Sequence, residues 1–453
     1  MHRTTALKRA ITALATVATV ATIAATTISA SGLTDVGATG AAIGSLTDTS
    51  VTNPDLPDGV ASLGQGRIAE DGGRSYLLYA ARFTNAPWVL VRDEASGEAS
   101  HLALPAGTTG GTAWARADLA VAGDDLWILS GAGPVYLRHY RLSGSPLPTT
   151  ATVVAEQVLG NSDSRAGALT ALASGNAAGV WHQQAATTPH GLYFVHATSD
   201  GVTRTAGPVS ITTRSSTQAI VQHPADQSVW AFSSADAGGA IAAVHLSEQS
   251  TGLRVDWIDS SYISEGRHGT LGPDPEAPDV EAAVDTVNGA IAVAYQSAER
   301  RVFSTLPWIV GSQVAVARVR ADASISFLAL PDYVERISAI GLVVRGNETW
   351  LAYRPIAADL TFDALHARRH DGSAWDEPLV LGKLGDPRAM VYFGRSVVNL
   401  GGPMADNLVH LLVAGPVAAG PTLGSDAPTT TTASGTGRTT GTPLKGKGGG
   451  RKK

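Results

Sequence analysis

The chain has 453 residues, no cysteine, 16% charged residues and a net charge of −6. The lack of cysteine excludes disulfides, a thiolate nucleophile and a cysteine-ligated metal. Basic residues gather at both ends of the chain, so the body from 32 to 416 is more acidic than the total charge indicates. An acidic body argues against binding to a nucleic-acid backbone.

The first 30 residues have the pattern of a signal peptide. Arg3, Lys8 and Arg9 precede an uncharged run, Ala10–Thr27, and small residues lead to a predicted cleavage point after Ala30. A retained membrane anchor is the alternative, because the run is about long enough to span a bilayer. The run is only weakly hydrophobic, so we expect cleavage, a secreted or cell-surface protein, and no membrane span in the mature form.

The body, 31–416, carries seven copies of one motif at intervals of roughly 50–60 residues. Each copy is a small polar turn followed by a short run of aromatic and β-branched residues. The copies occupy 73–79, 124–129, 178–181, 226–232, 288–293, 347–353 and 406–412. Short strands at such a period predict an all-β fold, a seven-bladed β-propeller; six or eight blades also fit the spacing.

The seventh repeat, 386–416, shows only its first two strands before the pattern stops. A propeller must close its ring or leave unpaired strand edges. We therefore expect the missing strands to come from 33–56, so that N- and C-terminal strands close the ring. We expect the closed ring to be a monomer.

Recurring residues within the repeats predict packing positions. Tryptophan recurs in the marker strand at Trp127, Trp181, Trp230 and Trp350, and we expect these side chains to pack between blades. A basic residue recurs on the third strand, at His139, His196, His245 and at several arginines. We expect it to lie between blades or at the surface.

Two long insertions and a tail interrupt the pattern. The insertions are Ser260–Pro278 and Gln296–Gly311; loops longer than about 12–15 residues are often functional, although drift between repeats explains them equally well. The tail, 417–453, is basic and rich in Thr, Gly and Pro. Such a composition cannot bury enough apolar area to fold, so we expect disorder.

The segments that enter each blade's first strand are rich in charge, as a ligand-binding face requires. Arginines near several entries suit an anionic ligand, because guanidinium groups bind carboxylates bidentately. The ligand-binding arginines predicted there are Arg116, Arg165, Arg336 and Arg388. The alternative is that they are ordinary polar residues of exposed loops.

A catalytic reading of the same face is the main rival. Glycoside cleavage uses paired carboxylates, and the catalytic candidates are Asp332, Glu335 and Tyr392. Two tryptophans outside the marker position, Trp308 and Trp375, are predicted to stack on sugars.

One hairpin carries a family resemblance. Residues 369–375 read Arg-His-Asp-Gly-Ser-Ala-Trp, which resembles the Asp box, Ser-x-Asp-x-Gly-x-x-Trp, of sialidase-like propellers. Here Asp371 and Gly372 are adjacent, and Trp375 follows the aspartate by four residues rather than five. Because the box is a structural hairpin away from the catalytic face, the resemblance implies the blade type and not sialidase activity.

The sequence favours a secreted propeller that binds a glycan or another extracellular ligand without catalysis. The alternatives are a sialidase-like glycoside hydrolase or lyase, and a cell-surface protein-interaction scaffold whose partner is a protein. No cofactor is expected; a structural calcium ion is compatible with the acidic body.

Overall fold

Every regular element in the described part of the chain is a β-strand. The computed structural model describes residues 47–56, 60–61, 68–82, 84, 86–105, 116–183, 191–211, 213–235, 240–264, 280–303, 306–329, 336–356, 364–382, 390–393, 396–399 and 408–413. No helix long and apolar enough to span a membrane occurs among these residues.

Six sheets are antiparallel meanders of consecutive strands. We call them blades 1 to 6, in chain order. The first strand, β1 (Thr47–Thr52), comes before blade 1. Blade 1 has β2 (Val60–Ala61), β3 (Ile68–Asp71), β4 (Arg74–Ala81), β5 (Pro87–Asp93) and β6 (Ala99–Ala103). Blade 2 has β7 (Asp118–Ala122), β8 (Asp125–Ser130), β9 (Tyr136–Ser143) and β10 (Thr150–Val158). Blade 3 has β11 (Ser164–Ala171), β12 (Ala177–Gln183), β13 (Gly191–Ala197) and β14 (Thr203–Val209).

The remaining three blades repeat this order. Blade 4 has β15 (Thr213–Gln222), β16 (Val229–Ala235), β17 (Ala240–Gln249) and β18 (Gly252–Ile263). Blade 5 has β19 (Val280–Asp285), β20 (Ala290–Phe303), β21 (Leu306–Arg320) and β22 (Ile325–Ala329). Blade 6 has β23 (Arg336–Arg345), β24 (Glu348–Ile356), β25 (Leu365–His370) and β26 (Leu379–Gly382).

The first strands of the blades surround a central channel. Strands β3, β7, β11, β15, β19 and β23 neighbour one another in that order and all line one cavity. The fold is a β-propeller. We call the end where these strands begin the entry end, and the end where they turn into the second strands the exit end.

The number of blades differs from the seven expected: within the part of the chain that the structure describes, six blades line the channel. The seventh repeat joins a mixed sheet in the order β1, β29 (Leu408–Val413), β27 (Met390–Phe393) and β28 (Ser396–Asn399). Strands β27 and β29 are parallel, so this sheet is not a meander. The inner strand of blade 6 contacts β27 and β28 of this sheet, and an ion pair between Arg345 and Glu70 joins blade 6 to blade 1.

The expected pairing of the two termini is present in that mixed sheet. β1 lies within 33–56 and pairs antiparallel with β29, from Thr47 opposite Val413 to Thr52 opposite Leu408. β1 therefore pairs with an edge of β29 that would otherwise be left without a partner strand, as the edge-strand argument required.

The marker tryptophans pack between blades, as predicted. Trp127, Trp230 and Trp350 have no exposed surface, and Trp181 has 2%. Apolar clusters of described residues fill the space between each successive pair of blades from 1 to 6. Most of the fold's apolar burial therefore lies between blades.

The third-strand histidines support this packing. The ring of His139 stacks on Trp127 with centroids 4.9 Å apart, and its Nε2 lies 2.6 Å from Asp125 Oδ1. His196 reaches across blades and lies 2.8 Å from Glu248 Oε1. The expectation of a blade-to-blade position is confirmed for His196, whereas these contacts of His139 lie within blade 2.

Glu248 joins blades 3 and 4. Its Oε1 accepts hydrogen bonds from Ser174 Oγ (2.7 Å) and Asn176 Nδ2 (2.8 Å) beside His196. Burial alone raises the pKa of Glu248, but the hydrogen bonds from Asn176, His196 and Ser174 outweigh it and hold the pKa below 4.5. The carboxylate form is therefore the one that the fold stabilises.

We expect Glu248→Gln to lower the free energy of unfolding by about 1–2 kcal/mol at pH 7, because hydrogen bonds to a charge are replaced by neutral ones. A depressed folded pKa gives stability that is complete above the unfolded pKa and lost as the pH falls through the folded one. Urea unfolding should therefore show the difference from wild type shrinking below about pH 4.5. Glu98→Gln, at an exposed glutamate, is the control. If the difference in unfolding free energy between Glu248→Gln and wild type is as large at pH 3 as at pH 7, the assignment is contradicted.

One of the two insertions forms regular structure. Gln296–Gly311 lies in the long hairpin of β20 and β21, whose pairing runs on to Phe303 opposite Leu306. The inner strand β19 pairs only as far as Val280 opposite Tyr295. The hairpin therefore extends about eight residues, from 296 to 303, beyond the body of blade 5, or roughly 26 Å at about 3.3 Å per residue. Of Ser260–Pro278, only the part up to 264 lies within the described residues.

Candidate functional site

A cavity in the described region lies at the exit end of the channel. This cavity has a volume of about 740 Å³ and is lined by the ends of the six innermost strands. Its wall is mainly apolar, with residues such as Leu119, Val221 and Leu342. It lies at the opposite end from the entry segments on which the sequence placed the binding site.

The charged rim of this cavity is already paired within the protein. Glu70 pairs with Arg345, and Asp71 Oδ2 accepts a hydrogen bond from Gly123 N at 2.9 Å. Arg74 Nη2 donates to Pro146 O at 2.8 Å, and Glu94 pairs with Arg92 at 2.9 Å. These groups hold neighbouring turns together, so the exit end offers an incoming ligand little free charge.

The entry end holds an arginine that, unlike Glu70, Glu94 and Arg345 of the exit rim, has no ion-pair partner among the described residues. Arg116 precedes β7 and has a φ of 55°, in the left-handed region that side chains other than glycine adopt at a cost. Its side chain is half-buried, and its Nη1 is inaccessible to solvent without a hydrogen-bond partner among the described residues. A buried guanidinium nitrogen without an acceptor is unfavourable.

Arg165 is the neighbour of Arg116 in the next blade. It is exposed and stands second in β11, with His182 opposite it on β12. Burial lowers the pKa of the Arg116 guanidinium, and the positive charge of Arg165 lowers it further. Two of the four predicted arginines thus stand at the entry ends of neighbouring blades, and no ion pair joins either to an acid within the described residues.

Rigid turns hold this pair in place. Ser164 Oγ bonds Asn161 Oδ1 at 3.1 Å and Gln183 Oε1 at 3.2 Å, which fixes the start of β11. The loop between β8 and β9 docks there as well, since Gly133 N donates to Ser164 O (2.9 Å) and Ala166 N to Gly131 O (3.0 Å). Gly131 has a φ of 129°, and a Cβ there would lie 2.1 Å from Pro134 O. Arg165 therefore projects from a preorganised junction of two blades.

For the other predicted site residues, the structure describes at most the backbone, with the exception of Trp375. Arg336 begins β23 at the entry end, and Trp308 stands opposite Arg301 in the extended hairpin. Tyr392 lies in β27, opposite Val397 and Leu411. Their side chains lie outside the described part, as do Asp332, Glu335 and Arg388 altogether.

Trp375 lies at the other end of its blade. It pairs with His370 at the end of β25, and their rings meet edge to face at 5.1 Å. The side chain is half-buried against the apolar cluster between blades 5 and 6. Asp371 accepts the backbone N–H groups of Ser373 and Ala374, so the Asp-box-like segment is a structural turn. Trp375 therefore packs against the apolar core at the exit end of blade 6.

Asp118, one of the charged entry residues, is a structural carboxylate. It is 1% exposed; its Oδ1 accepts Leu119 N at 2.8 Å and its Oδ2 accepts Leu169 N at 2.6 Å. The second bond ties blade 2 to blade 3. Both oxygens accept backbone N–H groups, so this side chain holds the start of β7 against β11.

A buried polar chain near the entry end was not foreseen from the sequence. Asn53 Nδ2 donates to the hydroxyl of Tyr79 at 2.6 Å, and that hydroxyl lies 2.8 Å from His101 Nδ1. Asn53 follows β1, so the chain ties the N-terminal segment to blade 1. No periodic signal marks these residues, because they belong to one blade only.

Metal binding is not indicated by the described geometry. No group of three or more His, Asp or Glu side chains suited to an ion is found among the described residues. The structural calcium considered from the sequence stays a prediction.

Comparisons with known proteins bear on the fold alone. No protein-family model and no curated protein matches the chain. Similar solved structures include AofleA from Arthrobotrys oligospora, 9% identical over 82% of this chain and 94% of that one, with a TM-score of 0.37. Trypanosoma rangeli sialidase is 11% identical over 72% of this chain and 60% of its own length, with a TM-score of 0.43. An ulvan lyase is 12% identical over 80% and 94%, with a TM-score of 0.42.

Proposed function

We propose that this protein is an exported β-propeller that binds an extracellular glycan at its entry end without chemical turnover. The observation that carries the proposal is that Arg116 and Arg165, at the entry ends of the neighbouring blades 2 and 3, make no ion pair with an acid among the described residues. Ligand sites form where a rigid scaffold presents unsatisfied polar groups. The exit cavity has no such free charge.

Binding is favoured over catalysis by the state of one described entry carboxylate, Asp118. A glycoside hydrolase needs one carboxyl group as acid and another as base or nucleophile. Asp118 bonds two backbone N–H groups and is buried, so it is not available for proton transfer. Arg336, Arg388 and Trp308 remain proposed ligand contacts, and Asp332, Glu335 and Tyr392 remain the residues to examine if turnover is found.

The first experiment is a glycan array probed with the exported full-length protein, run beside a panel of fluorogenic glycosides. Mass spectrometry of the same sample checks cleavage after Ala30. We expect binding without turnover. Turnover of a glycoside would contradict this proposal and support the hydrolase or lyase alternative. No binding and no turnover would favour a protein partner.

A further inference from the structure

The wall of the exit cavity is aliphatic. Side chains from the inner strands of all six blades line it, and the described lining contains valine, leucine, isoleucine and alanine but no aromatic residue. Several of these side chains are only half-buried, among them Ala69, Ala171, Ala283 and Val344. Apolar surface inside the ring is therefore accessible to a molecule that enters the cavity from the exit end.

The charged groups of the lining leave no free partner for a charged ligand. Each of them is already bound within the protein, by an ion pair or by a backbone group of blade 2. They are Glu70, Asp71, Arg74, Glu94 and Arg345. A ligand with a formal charge must break one of these contacts or keep its charge in water. Thr286, an exposed lining residue, offers a neutral hydroxyl group instead.

The size of the cavity suits a small lipid-like molecule. Its volume of about 740 Å³ lies within the range of roughly 300–1,000 Å³ that is typical of ligand sites. Water against an aliphatic wall finds few hydrogen-bond partners, so its replacement by an aliphatic group is favourable. A sugar is a poor match, because its hydroxyl groups would lose water without gaining partners on this wall.

We propose that the exit cavity binds an uncharged aliphatic molecule of the class of lipid alcohols and esters. The aliphatic part lies against the inner strands, and the neutral polar part stays at the rim. The six strands that form the wall belong to separate blades of a packed ring, so little of the protein has to become ordered when the ligand binds. This ligand differs in chemistry and in place from the glycan proposed for the entry end, so the two proposals are tested separately.

The test is titration calorimetry of the full-length protein with 1-hexanol, 1-octanol, octanoate, octylammonium and glucose. We expect the affinity for the alcohols to rise by about fourfold for each methylene buried, so that 1-octanol binds roughly fifteenfold more tightly than 1-hexanol. Octanoate and octylammonium should bind about tenfold more weakly than 1-octanol, because the methylenes next to a hydrated charge stay in water. Glucose should produce no binding heat at this site.

Two variants that fill the cavity locate the binding. Ala171→Leu and Ala283→Leu, in blades 3 and 5, should each weaken 1-octanol binding by about tenfold, because the larger side chain displaces about two methylenes of the ligand. Ala103→Leu makes the same change at an exposed alanine of β6 that is not among the lining residues, and it should bind as wild type does.

Three results would each overturn the proposal. The first is an affinity for the alcohols that does not rise with chain length. The second is binding of octanoate or octylammonium as tight as that of 1-octanol. The third is wild-type affinity for 1-octanol in a folded Ala171→Leu or Ala283→Leu variant. The chain-length series uses the wild-type protein, so it decides the matter even if neither variant folds.

Discussion

Trp230→Ala should lower the free energy of unfolding by about 3–5 kcal/mol, which is the usual cost of truncating a large buried aromatic side chain. The indole has no exposed surface, and its Nε1 donates to Ser228 Oγ at 2.9 Å. Its ring meets those of His245 and Trp257 edge to face, with centroids 5.0 and 5.1 Å away. The substitution removes these contacts and leaves a cavity between blades 4 and 5.

Guanidinium unfolding followed by circular dichroism measures this loss, with Val287→Ala as the control. Val287 is 55% exposed in a turn of blade 5, so its truncation should change stability by less than about 0.5 kcal/mol. A loss below about 1 kcal/mol for Trp230→Ala would mean that the marker strand does not form the inter-blade core.

Arg138→Met should be comparably destabilising, by about 3–5 kcal/mol, because it breaks one side of a buried ion pair. Arg138 has no exposed surface, and its Nε lies 2.9 Å from Glu156 Oε2 on the neighbouring strand. Its Nη1 donates to Ser130 Oγ at 2.9 Å. Methionine fills much of the space but leaves Glu156 without this cation.

The chain offers a matched control on the same strand. Arg141 pairs with Asp125 at 2.8 Å, but its side chain is 49% exposed. Arg141→Met should therefore cost less than about 1 kcal/mol, as exposed ion pairs do. The double variant Arg138→Met with Glu156→Gln should recover part of the loss. Equal effects of the two arginine substitutions would contradict the burial argument.

The blade architecture was predictable because a local signal repeats with it. A polar turn recurs in each repeat and a marker tryptophan in four of them, and the burial of these tryptophans follows from that place, as at Trp127 and Trp350. The number of blades was not predictable in the same way. The strands of 386–416 are as apolar as the strands of a blade. They differ only in how they pair, because β27 and β29 are parallel and a meander has antiparallel neighbours.

The chemistry of the candidate site stays a prediction from sequence, and its geometry could not be derived from sequence. Arginines at blade entries indicated an anion site, yet which of them meet depends on which blades are neighbours. The left-handed conformation and buried nitrogen of Arg116 have no signature in sequence. Trp375 stood outside the marker position and so looked available to a ligand, whereas pairing with His370 packs it against the core.

The central claim is that ligand binds at the entry end of the channel. Photo-cross-linking with a diazirine-bearing acidic glycan, followed by peptide mass spectrometry, tests this most directly. The account predicts cross-links in peptides that contain Arg116 or Arg165, suppressed by excess glucuronate. Cross-links confined to exit-end turns, such as those at Gly73 and Gly123, would contradict it and move the site to the opposite face of the ring.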